Sequence, residues 1–167
     1  MNIPVSPNTR GALVDPHIQK SEGSHLMLRL MDGEFLCLQI IKPFLPCTKS
    51  QVVLVRPESA RRAVPQELVH KIFDPRYLND RIPSTPGYPP HLWTLEAEIE
   101  AARYRQEIAE GKRPDSNGLL NKPDHEDEAY FWEDYFYKVM KESWECETLA
   151  FSRLTSVQGT AIPKLYG

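Results

Sequence analysis

Lys71 and Glu147 are the two residues of this chain whose types and surroundings point most directly to chemistry. Glu147 stands in the run ESWECETLAFSRL (142–154). Trp144, Glu147, Phe151 and Leu154 are spaced three, four and three residues apart, so on a helix they share one face. The rest of that face is apolar, and a carboxylate on the buried face of a helix is costly unless it is paired. A partner is available upstream. Glu67 to Phe73 (ELVHKIF) alternates as a strand does, with Val69, Lys71 and Phe73 pointing one way and Leu68, His70 and Ile72 the other. Lys71 therefore lies between two apolar neighbours on one strand face, where its ammonium can neutralise the helix carboxylate. Spacing alone also leaves open two unrelated surface charges, since most Lys and Glu side chains are exposed.

The elements that must position this pair can be read along the chain. Residues 1–24 are rich in Pro, Gly and polar residues and are expected to form a flexible leader. Leu26–Leu30, the turn signal Asp32-Gly33 and Phe35–Ile41 predict a hairpin. Gln51–Val55, rich in valine, predicts a third strand, and the lysine strand is the fourth, ended by Asp74-Pro75. Residues 82–90 (IPSTPGYPP) read as a rigid Pro-rich spacer. Thr94 is placed to cap a helix that carries Leu95, Ile99 and Ala102 as an apolar stripe and stops near Gly111. Residues 113–129 are polar and acidic, and read as a loop without the carboxylate spacing of a calcium site. A long helix from about Ala129 to Leu154 comes next. Trp132, Tyr135, Phe136, Val139, Met140, Trp144, Phe151 and Leu154 line one broad face of it, while Tyr130, Phe131 and Trp132 in its early turns are available to pack on the preceding helix or to dock a missing lobe. Ile162 and Leu165 look like the start of a further strand.

This order of elements resembles the small lobe of a protein kinase, and more closely that of the divergent fungal protein-kinase-like proteins. The segments that carry the resemblance are PFLPCTKSQVVLV (43–55), LVHKIFDPRYLNDR (68–81), WTLEAEIEAARYRQ (93–106) and ECETLAFSRLTSVQGTAIPKLYG (145–167). It implies an α+β fold: an antiparallel sheet of about four strands packed on a long helix, with an extra helix inserted between the lysine strand and the long one. The lobe is expected to span residues 25–167. The resemblance also implies roles. Lys71 would contact the phosphates of ATP, and Glu147 would hold Lys71 in place.

The departures from the family pattern matter more than the match. The turn that should cover the phosphates, KPFLPCTKS (42–50), has no glycine. No catalytic-loop aspartate of the HRD type and no metal-binding DFG segment are present, so the resemblance implies a truncated lobe without catalytic residues, inactive alone and with weak or no ATP binding. Its expected partner is a missing kinase large lobe. The alternative is a non-catalytic interaction module that binds a protein through a sheet edge or the aromatic helix.

Composition sets the outer bounds. A chain of 167 residues is long enough for one domain with a real core. Lys+Arg 20 against Asp+Glu 23 leaves a net charge of -3, which gives no electrostatic case for nucleic acid or an anionic membrane. No run approaches the length of a membrane helix, and the N-terminus has no signal-peptide core, so a cytoplasmic or nuclear location is expected. Cys37, Cys47 and Cys146 form no CxxC pair and are expected to be reduced thiols. His17, His25, His70, His91 and His125 are too scattered for a metal site, so none is predicted.

Overall fold

The computed structural model describes residues 21–30, 33–45, 49–58, 65–83, 87–115, 122–124 and 127–166. Four strands come first: β1 (His25–Arg29), β2 (Phe35–Phe44), β3 (Gln51–Pro57) and β4 (Leu68–Ile72). They form an antiparallel meander in the order β1-β2-β3-β4. Two helices come after them, α1 (Leu95–Ala109) and α2 (Ala129–Arg153). The architecture is α+β, with both helices after the sheet.

Alternation divides the sheet into two faces. Leu26, Leu36, Leu38, Ile40, Val53 and Val55 form the buried inner face, and Leu28, Leu30, Leu68 and Ile72 pack against it. His70 shares that side, opposite Val53, and burial pushes its imidazole below the ordinary histidine pKa. Among the described residues the inner-face cluster contains no helix residue, so the inner face of the sheet does not pack on α2, whereas the resemblance implies a sheet packed on the long helix.

One irregularity decides which side chains reach the outer face. Ile40 pairs with Val55 but Lys42 pairs with Leu54, so β2 carries an extra residue between them. A bulge of this kind exchanges inward and outward positions for the rest of the strand. Before it the even-numbered residues of β2 point inward; after it Lys42 and Phe44 point outward and are exposed.

The helices build their own core. Leu78, Trp132, Phe136 and Met140 are buried together, with Phe73, Tyr135 and Val139 packed around them. Ala101, Tyr104 and Tyr130 form a second cluster where α1 meets α2, with the Tyr104 ring 5.5 Å from Phe131. Thr94 caps α1, its hydroxyl accepting a hydrogen bond from the Ala97 N–H at 3.2 Å. Gly111, at φ 70, ends the helical stretch in the left-handed conformation that glycine adopts without strain.

Two segments differ from the sequence expectation, and a third is described only at its ends. Residues 1–20 of the leader lie outside the described residues, but Gly23 and Ser24 already exchange backbone hydrogen bonds with Ile40, so the ladder begins before the expected boundary. The residues flanking the Pro-rich spacer are tied together, the His91 N–H donating to the Arg81 carbonyl at 2.8 Å; residues 84–86 of the spacer lie outside the described residues. Near the C-terminus, Gln158 and Ile162 make one isolated bridge, and no further strand forms among the described residues.

Candidate functional site

Lys71 and Glu147 meet. Lys71 comes from the end of β4 and Glu147 from the C-terminal half of α2, and Lys71 Nζ donates a hydrogen bond to Glu147 Oε2 within an ion pair. The Lys71 ammonium also lies 4.9 Å from the centre of the Phe73 ring, a cation–π distance. Phe73 in turn packs against the Trp132–Phe136–Met140 cluster, so the aromatic core of the helices supports the position of the lysine.

The surroundings differ from the expectation of a buried carboxylate. The Lys71 and Glu147 side chains are 36% and 35% exposed. Beyond Met140 every described residue of α2 is half-buried or exposed, and Leu154, which caps the helix, is exposed as well. The apolar stripe that begins with Trp132 therefore loses its cover after Met140. An exposed pair of this kind contributes little to stability; its consequence is geometric, because it fixes the direction of the lysine.

Lys71 stands on an open, largely apolar surface. Across the outer face, Lys71 pairs with Val52 and Val69 with Leu54; on β2, Phe44 and Lys42 extend the same two rows. Val69 is 65% exposed. The valines and leucine give this face an apolar bed, and Lys71 places a charge at its margin.

A second ion pair, not singled out by the sequence, anchors the same helix. Arg81 and Glu133 side chains are 3% and 2% exposed. Arg81 Nη1 and Nη2 donate to Glu133 Oε1 and Oε2 at 2.7 and 2.5 Å. Two further donors of the fork, Nε and Nη1, reach the Pro75 carbonyl at 2.6 Å and the His91 carbonyl at 3.0 Å. The guanidinium also lies 4.5 Å from the Phe136 ring centre. Burial pushes the Glu133 carboxyl above the ordinary carboxylate range, and Arg81 pulls it back only in part. The rule that picks out Glu147 also picks out Glu133, which stands three and seven residues before Phe136 and Met140 on the apolar stripe.

The two pairs act as one frame. Lys71 and Arg81 flank the short stretch that leaves β4. Their partners are fourteen residues apart on α2, about 21 Å along the helix and nearly in line on one face. Leu78, Phe136 and Met140 fill the space between. The buried pair fixes the helix against the segment after β4, and the exposed pair fixes the lysine against the helix.

Other reactive groups do not complete a centre. Cys37 and Cys146 are free thiols, and Cys47 lies outside the described residues. A hydrogen bond to Glu58 pushes the Cys37 thiol up, which disfavours the nucleophilic thiolate. Glu58 also pairs with His25 at 2.8 Å. Among the described residues no group of three His, Cys, Asp or Glu is arranged to hold a metal ion, and no helix is long and apolar enough to cross a membrane. No family model matches this chain, and neither a curated protein nor a solved structure matches it.

Proposed function

We propose that this chain is a protein-kinase-like small lobe whose outer sheet face binds the nucleotide ATP, with Lys71 contacting the phosphates and Glu147 orienting Lys71. The observation that carries the reading is the pairing of a strand lysine with a carboxylate of the following long helix, beside an open apolar face. The meander of β2, β3 and β4 and the single long helix α2 agree with it. Phosphoryl transfer needs a catalytic aspartate and a metal-binding aspartate. Neither motif occurs in the sequence, so the reading assigns binding to this chain and leaves transfer to a large lobe.

A nucleotide on this face is covered from one side only, and weak affinity results. Lys71→Met removes the ammonium and keeps the length of the side chain. ATP affinity measured by equilibrium titration is expected to fall by about tenfold or more, the usual effect of losing a charge-assisted hydrogen bond. Equal affinity of Lys71→Met and wild type would count against the reading.

A second reading rests on the uncovered end of α2, where Leu149 and Leu154 are exposed large apolar residues. Such a face suits a protein partner, in a non-catalytic interaction module. The two readings separate at Lys71→Met, which weakens nucleotide binding in the first and leaves partner binding intact in the second.

A further inference from the structure

We infer that Lys42 is a second phosphate-contacting residue of this face; the inference rests on the nucleotide reading above. Its first support is the β2 bulge. Strict alternation from Leu36, Leu38 and Ile40 would turn Lys42 inward, and the extra residue before it turns Lys42 outward instead, onto the face that bears Lys71. Bulges recur where a strand re-aims a functional side chain.

The second support is the direction of the two ammonium groups. Lys42 Nζ lies 5.8 Å from the centre of the Phe44 ring, two residues nearer the β2–β3 turn. Lys71 Nζ leans toward Phe73, and β4 ends on the same side, since Gln51 at the start of β3 pairs with Ile72. Both cations thus lean toward one end of the sheet. Their backbones stand two strand spacings apart, about 10 Å, and two residues apart along the strands, about 7 Å. The remaining support is charge. Lys71 is already paired with Glu147, whereas no carboxylate among the described residues forms an ion pair with Lys42. Among those residues Lys42 is the uncompensated cation of this face, and an extended anion that spans both lysines is a nucleoside di- or triphosphate.

The experiment compares ATP with adenosine on wild type, Lys42→Ala, Lys42→Arg and Lys71→Met, each checked for unchanged circular dichroism. Lys42→Ala is expected to weaken ATP by about tenfold and to leave adenosine unaffected. Lys42→Arg, which keeps the charge, should stay close to wild type. If Lys42→Ala binds ATP as wild type does while Lys71→Met does not, the role of Lys42 is overturned and the nucleotide reading stands. An equal loss of ATP and adenosine in Lys42→Ala also overturns it, because the effect would not lie in the phosphates. If wild type binds neither ligand, both the inference and the reading fall.

Discussion

Glu133→Ala is expected to lower the stability of this protein by about 3–5 kcal/mol, the usual cost of removing one partner from a buried ion pair. The cost arises from the residue left behind. Arg81 cannot lose its proton, and its guanidinium stays in a pocket where it is 3% exposed. The carbonyls of Pro75 and His91 still accept from it, but no negative charge remains to offset its desolvation. A urea titration with both the midpoint and the slope fitted measures the effect. The double variant Arg81→Met/Glu133→Leu is the control. It removes both charges and keeps apolar volume, so it should recover most of the lost stability. A loss below about 1 kcal/mol in Glu133→Ala would mean that the pair is solvated and does not anchor α2.

Phe136→Ala is the second large effect, with an expected loss of about 3–5 kcal/mol. Phe136 is fully buried between Leu78, Trp132 and Met140, with the Trp132 ring 5.6 Å away. The deletion opens a cavity in the buried cluster that links α2 to the segment after β4. It also removes the ring beneath Arg81, a contact worth about 0.5–2 kcal/mol in other proteins. Because the two residues share Arg81, the losses in Phe136→Ala and Glu133→Ala should not add. Thermal and urea unfolding of the two single variants and the double variant measure that coupling, and strict additivity would contradict the shared frame.

Much of the architecture was legible in the sequence because the local signals agreed with the tertiary outcome. Alternation with turn residues marked the strands, Thr94 marked the start of α1, and the aromatic periodicity marked α2 to within a residue of its observed end. The bulge in β2 was not legible: no Gly or Pro marks residues 40–42, and register is fixed by pairing with β3. Burial along α2 was misjudged for a related reason. Periodicity shows which residues share a face, but it does not show where the cover over that face ends, which here is after Met140. The Lys71 and Glu147 pair could be named because each broke an apolar pattern. Glu133 breaks the same pattern between Trp132 and Phe136, whereas Arg81 sits in an irregular stretch with no periodicity to break. Its role comes from the 3-10 turns at 75–77 and 79–81, which bring it under α2.

Nucleotide binding on the Lys71 face, as proposed, is open to direct test. The most direct measurement is a titration of isotope-labelled protein with ATP, tracked through its backbone amide resonances. Saturable shifts are expected, centred on Val52, Leu54, Val69 and Lys71, with Ala101 and Tyr104 between the helices unmoved. An absence of shifts at millimolar ATP, or shifts confined to α1 and the N-terminal half of α2, would contradict the proposal.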